Sequence, residues 1–359
     1  MLRKAFNMNN EDESFEYVLM TAARNEEAFI GRTIESVISQ SILPKCWVIV
    51  SDNSTDRTDE IIETYIPKNE FIILIKKNGD KQRNFGSQVR AINIAYQYIL
   101  ENNIKYNFIG NLDADVSFEP NYFELIYNKF KEDPELGLAG GTIFEKQREI
   151  FVPRRYNSTA SVAHAVHLFR KKCFDSINGY TPLRYGGSDT HAEFMARMNG
   201  WKVKSFPEIQ VNHYKPTNSA ERKLKGAFRQ GKMDYSLGCH PVYQVARSIS
   251  RIRTRPFFLY SLVRIAGFLS CYLLFERRTV TMDFIRYIRE YEVKHFMANI
   301  RDMIVNPTYQ KNGYFFKKIR EKLVSIRASL FNIVDSDMDK TIDEISDELD
   351  KESNLTNLQ

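Results

Sequence analysis

Between Phe15 and Phe144 short apolar runs alternate with amphipathic segments, and this alternation constrains the fold more than any other feature of the chain. The runs Phe15–Met20, Trp47–Val50, Phe71–Ile75, Tyr106–Leu112 and Leu136–Phe144 have strand length, the last broken by Gly140-Gly141. An apolar run of this length without alternation suits a strand covered on both faces. Between the runs, Phe29, Ile30, Ile34, Val37 and Ile38 recur at helical spacing, with Asn25 as N-cap and Glu26 and Glu27 at the positive end of the helix. Asp56 caps a second helix with Ile61, Ile62 and Tyr65 turned inward, and Ala91–Leu100 and Asn121–Lys131 supply two more. A β-α-β-α order predicts an α/β fold: an open, mostly parallel sheet with helices on both faces. Ligands of such sheets bind past the carboxyl ends of the strands.

After Phe151 the pattern changes. Arg154–Ser158 reads as loop, Ala163–Phe174 fits strand or helix, Thr190–Met198 is helical, and Val203–Phe206 and Ile209–His213 read as short strands around Pro207. Beyond Tyr214 the signals are helical, so the expected plan is a polar, disordered terminus at 1–14, an α/β domain at 15–235, a basic helical appendage at 236–334 and an acidic amphipathic tail at 335–359. Residues 215–327 carry 23 Lys/Arg against 8 Asp/Glu, whereas 335–352 carry 9 acids against 2 lysines. The basic stretch suits anionic partners or is a solvated face neutralised by its own tail. Met338, Ile342, Ile345 and Leu349 give the tail a stripe suited to docking or self-association. The apolar run Phe257–Phe275 is interrupted by Arg264 and is short for a membrane span, so it reads as a buried or interfacial helix touching a membrane only peripherally. The terminus lacks the apolar core of a signal peptide, and the four cysteines form no C-x-x-C pair; both features suit reduced thiols in the cytoplasm.

Three polar clusters follow strands or open helices. Asn111-Leu112-Asp113-Ala114-Asp115 follows an apolar strand. Carboxylates two residues apart on a strand end face the same way, and their repulsion is relieved by a divalent cation such as Mg²⁺ or Mn²⁺; alone, the triplet is equally an ordinary capped turn. Ser51–Asp56 can hydrogen-bond a base or ribose or simply form a turn. Gly186-Gly187-Ser188-Asp189 precedes a helix, with Asp189 either its N-cap or a general base at the mouth of a cleft. His213, at a strand end, is a candidate third metal ligand or a structural histidine.

Together these residues resemble the family 2 glycosyltransferases, which have the GT-A fold. Thr21–Glu27 looks like the family's opening Pro-Ala-x-Asn-Glu stretch with Ala22 in place of proline, and Ser51–Asp56 looks like its Asp-Asp-Gly-Ser-Thr-Asp element with Ser51 in place of the first aspartate. Asp113-Ala114-Asp115 resembles its D-x-D, and Gly187-Ser188-Asp189 its Glu-Asp acceptor motif with Ser188 in place of glutamate. Gly231–Tyr235 and His240-Pro241 look like a tail of some bacterial cell-surface polysaccharide transferases. The resemblance implies that Ala22, Arg24 and Glu26 lie beside the nucleotide, that Asp52 contacts base or ribose, and that Arg90, with Arg83 as competitor, helps hold the nucleotide. It further implies that Asp113 orients ribose or metal waters, that Asp115 ligates Mn²⁺ or Mg²⁺ with His213, and that Asp189 is the base of an inverting transfer. The implied donor is a nucleotide-diphosphate sugar, with uridine diphosphate favoured, and the implied acceptor is a saccharide or lipid-linked glycan. The basic segment Arg222–Lys232 is a candidate lid over the diphosphate. The Q-x-x-R-W motif of processive synthases is not found, which favours transfer of a single sugar.

Two rival readings remain at this level. A nucleotidyltransferase would carry a Gly-rich, basic loop where Ala22–Glu27 stands, and a catalytically silent sugar- or nucleotide-binding module would recruit partners through the tail. No nucleic-acid-binding motif accompanies the basic charge, so a nucleic-acid partner is not expected.

Overall fold

A computed structural model describes residues 14–77, 85–147, 150–154, 157–215, 223–250 and 258–305. Arg83, Arg222 and the tail at 335–359 lie outside the described residues. The chain divides into two compact units, 1–288 and 289–359.

The first unit is built on one sheet. Strands β1 (Tyr17–Ala23), β2 (Cys46–Asp52), β3 (Ile72–Lys77) and β4 (Phe108–Leu112) pair in parallel in the order β3-β2-β1-β4. β1, β2 and β4 are almost wholly buried, as their unbroken apolar runs require. Helices α1 (Ile30–Ile38), α2 (Thr58–Tyr65) and α4 (Tyr122–Glu132) pack on one face through Ile34, Ile62, Ile126 and Phe130. On the other face α3 (Phe85–Glu101), α5 (Lys171–Ser176) and α6 (Ser188–Met198) bury Ile92, Ile99, Phe174 and Ala196.

Past β4 the sheet turns mixed. β8 (Val166–Arg170) is antiparallel to β4 and to β6 (Leu136–Gln147); β6 runs parallel to β9 (Lys202–His213), and β9 pairs antiparallel with the short β5 (Val116–Phe118). A small strand, β7 (Ile150–Pro153), pairs with β6. The parallel expectation thus describes the β1–β4 half, and the other half combines both directions. The stretch Ala163–Phe174 divides into strand then helix. The two strands expected around Pro207 are one: β9 continues through an irregularity in which Gly141 pairs with Phe206 and Thr142 with Gln210. A Cβ on Gly141 would lie 2.5 Å from the Ile209 carbonyl oxygen, so the glycine pair expected to break β6 admits the bulge instead.

The first helix begins later than expected. Asn25 is not its N-cap: it sits at φ 56° in the left-handed region, and α1 starts at Ile30. The carboxylate of Asp56 does serve the start of α2, accepting from the Thr58 amide (3.1 Å) and hydroxyl (2.5 Å).

Beyond β9, α7 (Lys223–Ser236), α8 (Pro241–Ser250) and α9 (Leu259–Leu273) lead into α10 (Met282–Val305). A third core gathers Leu183, Tyr235, Phe268, Cys271, Phe284 and Ile285. α7 and α9 cross at van der Waals closeness: a Cβ on Gly231 would stand 2.0 Å from the Arg264 carbonyl oxygen, and one on Gly267 2.0 Å from that of Phe228. Beside this crossing Arg264 and Arg247 pair with the buried Asp234 at 2.8 and 2.5 Å. Among the described residues no helix is long and apolar enough to cross a membrane.

Candidate active site

Two loops at the carboxyl ends of β1 and β2 interlock. The Asn25 amide donates to Ser54 Oγ (3.2 Å), the Thr55 amide to Asn25 Oδ1 (2.8 Å), the Glu26 amide to Thr58 Oγ1 (2.7 Å), and the Glu27 amide to Asp56 Oδ2 (3.1 Å). Asn25 and Asn53, both at positive φ, turn the chain there. Ser54, Thr55 and Asp56 therefore do the turn and cap work that short polar side chains commonly do. Asp52, at the end of β2, is buried and held by Lys77 Nζ (2.8 Å) and Asn53 Nδ2 (3.0 Å). Ala22 lies opposite Val50 in the β1–β2 ladder, and Arg24 follows β1 half-buried.

The D-x-D residues occupy a turn between β4 and β5, not a strand end. Strand alternation therefore does not explain why both face one site. The turn does so by its anchors: the Asp113 amide donates to the Ala165 carbonyl (3.0 Å) and the Tyr214 amide to that of Asp115 (3.0 Å). The β5–β9 register sets His213 opposite Val116, and His213 Nε2 reaches Asp115 Oδ1 at 3.3 Å. Ligand atoms of Asp113, Asp115 and His213 all lie within 4.8 Å of one another. Two carboxylates and an imidazole at this spacing fit a hard divalent cation.

Electrostatics ties more residues to this cluster. Burial pushes Glu26 up to about 7; the adjacent Lys215 ammonium opposes that, and the negative charges of Asp115 and Asp113 reinforce it. Burial alone would raise Asp113, yet the imidazoles of His164, which also hydrogen-bonds it, and His213 outweigh that and hold the carboxyl below its ordinary value. Burial acts to lower His213, but the Asp115 carboxylate prevails and raises it.

Asp189 stands in the first turn of α6, after Gly186 and Gly187 at φ 88° and 89°. Gly187 is the residue at the N-cap, so Asp189 is not the cap. The glycines serve packing as well: a Cβ on Gly187 would press on Met233 Cγ of α7 at 3.0 Å. Ser188 is buried, its hydroxyl accepting from the Leu183 amide (3.3 Å). The Asp189 charge acts on His164 and on Tyr180, and so does that of Asp113. Asp189 is thus within electrostatic reach of the residues that flank the D-x-D turn.

Several residues here carry no motif. His164 Nδ1 lies 3.5 Å from Asp113 Oδ1, Asn111 Nδ2 donates to the His164 carbonyl (2.7 Å), and Gln88 Nε2 donates to Asp113 Oδ1 (3.2 Å). Gln88 is thus the α3 side chain that reaches the turn, while Arg90 is exposed two residues further along. Burial drives His167 down to about 4, so its ring is neutral. Its two nitrogens lie 2.8 Å from the Tyr180 hydroxyl and 2.9 Å from the Val162 carbonyl. Because that carbonyl only accepts, Nε2 carries the proton and Tyr180 donates to Nδ1. Glu193 of α6 accepts from the Ser161 hydroxyl (2.9 Å) and the Val162 amide (2.7 Å), holding the segment that presents His164. In the sequence these were a histidine on an ambiguous apolar run and polar residues on helices; the clue available was the polarity of His164 and His167 amid that run. Lys232, in the expected lid, bonds Glu276 at 2.9 Å within the helical layer.

The open α/β sheet thus carries a D-x-D turn with His213 beside it, and Asp189 lies on the helix that opens at Gly187. The chain matches, over residues 19–189, the model described as glycosyl transferase family 2. Over 272 residues, 71% of this chain, it is 29% identical to the poly-beta-1,6-N-acetyl-D-glucosamine synthase of Staphylococcus aureus, and it spans 61% of that relative's length. It is 24% identical over 172 residues to the chondroitin synthase of Pasteurella multocida, covering 44% of this chain and 16% of that one. Among solved structures, S. aureus TarS 1–349 in complex with UDP-GlcNAc aligns at 14% identity and a TM-score of 0.46, covering 77% of this chain and 82% of that one.

Proposed function

We propose that this glycosyltransferase is metal-dependent and inverting, moving one sugar per cycle from a nucleotide-diphosphate donor to a hydroxyl of a saccharide or lipid-linked glycan. The observation that carries the reading is the convergence of Asp113, Asp115 and His213, whose ligand atoms lie within 4.8 Å. The donor set passes a chemical test of fit: hard oxygens and one imidazole suit Mn²⁺ or Mg²⁺, and like charges crowded beside Glu26 call for a cation. Asp115 and His213 would hold that cation, with Asp113 assisting or orienting the ribose. Once bound it supplies Lewis-acid neutralisation of the departing diphosphate.

The remaining roles fall to the chain. Asp52, fixed by Lys77 at the end of β2, would receive base or ribose, with Ala22, Arg24 and Glu26 beside the nucleotide and Arg90 helping to hold it. Asp189 takes the proton of the acceptor hydroxyl as its oxygen attacks the anomeric carbon and the carbon–diphosphate bond breaks. Such general-base help is typically worth roughly 10²–10⁴-fold. Polysaccharide synthases among the relatives support a glycan acceptor, and a uridine diphosphate donor is part of the proposal.

The test is a panel of nucleotide sugars with Mn²⁺, with product masses read on an oligosaccharide acceptor. A single added residue per acceptor supports single transfer; a ladder overturns that part. Asp189→Asn should retain donor binding and lose transfer, whereas transfer at the parent rate would remove Asp189 from the base role.

A further inference from the structure

The buried side of α9 is settled: Ser261, Arg264, Gly267, Phe268 and Cys271 face α7 and the third core. Among the described residues its other side is apolar and uncovered. Leu262 is 62% exposed, Leu269 50%, Leu273 78% and Phe275 89%. Leu262, Leu269 and Leu273 recur at the helical period and form one stripe, and Phe275 continues it just past the end of the helix. Phe258 and Phe275, which flank the helix, both sit at positive φ (59° and 50°), a conformation that bulky residues rarely adopt, and both side chains stand in solvent.

The sequence around the stripe is basic. Residues 223–288 contain 12 Lys/Arg and 3 Asp/Glu. Two of those acids are already neutralised inside the helical layer, Asp234 by Arg264 and Arg247, and Glu276 by Lys232. Arg277 follows the stripe directly and is exposed, and Arg278 stacks on Tyr235 and Tyr272 at its end. A second copy of the same face would bring like charges together, so charge complementarity selects an anionic surface instead.

α9 cannot be a span. Its 15 residues rise ~22 Å against a hydrocarbon core of ~30 Å, and its inner side carries the Arg264–Asp234 pair. An apolar stripe edged by arginines is instead the pattern of a helix lying in the headgroup layer. We propose that the exposed stripe of α9, from Phe258 to Phe275, seats this enzyme on the surface of an anionic lipid bilayer, with Arg277 and Arg278 against the headgroups. The proposal is independent of the donor and the metal; if it holds, a lipid-linked acceptor is met at the surface where it resides.

The test is sedimentation of the full chain with phosphatidylcholine vesicles, with and without phosphatidylglycerol, alongside light scattering of the protein alone. The parent should partition onto the phosphatidylglycerol vesicles and release as salt rises. Leu273→Ser/Phe275→Ser should weaken partition about tenfold or more, and Arg277→Glu should weaken it only on anionic vesicles. Both sites are exposed, so circular dichroism and donor turnover without vesicles should match the parent, separating this result from any failure of the catalytic reading. A parent that stays in the supernatant with both vesicle types overturns the proposal. So does a double variant that sediments like the parent, and so does a parent dimer that the double variant dissolves without any vesicle binding.

Discussion

At the residue scale, the site's support is a set of buried polar groups whose charge states follow from their neighbours. Glu193 is the most telling. Burial pushes it up to about 7, and Arg197, the Ser161 hydroxyl and the Val162 amide only partly offset that. A carboxyl whose folded pKa lies above its unfolded one binds more protons folded than unfolded. Stability from this group is therefore fully present below about 4.5, declines as pH rises to about 7, and is flat beyond. Thermal unfolding across that window should show the decline in the parent, and Glu193→Gln should make it shallower, leaving the share that Glu26 contributes. The same melting temperatures at pH 4.5 and 7 in the parent would contradict this account. A second residue-scale expectation concerns Asp56: replacing it with alanine removes acceptors for the Thr58 and Glu27 amides, at a cost of about 1 kcal/mol in denaturant unfolding.

At the scale of elements, the parallel half of the sheet was legible because its strands are buried on both faces and read as unbroken apolar runs. The D-x-D triplet and the loop after β2 stood out because polar clusters directly follow apolar strands, and Asp189 because it follows a glycine pair at a helix start, although turns and caps use the same residues. What the sequence hid depends on pairing. Nothing local in His213 announces that β9 sets it against Val116 beside Asp115. His164 and Gln88 meet Asp113 only because β8 and α3 flank β4 and the turn that follows it. Asn25 was misread because an N-cap preference and a left-handed turn preference belong to the same residue type. The α7–α9 crossing was equally hidden: Gly231 and Gly267 are ordinary helix glycines until the two backbones touch. Gly267→Ala should force the helices apart and destabilise the protein by about 1–3 kcal/mol. Urea unfolding checks this, and an unchanged midpoint would show that the crossing yields freely.

At the scale of the molecule, the parallel strands β3-β2-β1-β4 carry the loops proposed to receive the nucleotide, while the mixed strands bring His213 to the D-x-D turn and α6 carries the proposed base Asp189. Met233 of α7 and Leu237 just after it pack against the glycine that opens α6, so the helical layer backs the Asp189 turn. Every proposed site residue lies in the first unit, 1–288.

The most direct test of the cation-bearing cluster is the initial rate of sugar transfer by protein stripped with EDTA and titrated with Mn²⁺, for the parent chain and for Asp115→Asn. The account predicts that stripping abolishes transfer, that Mn²⁺ restores it to the parent, and that the variant stays more than roughly 100-fold slower, beyond what loss of a ligand's supporting hydrogen-bond partner usually costs. Full transfer by the stripped parent, or restoration of the variant to the parent rate, would contradict it.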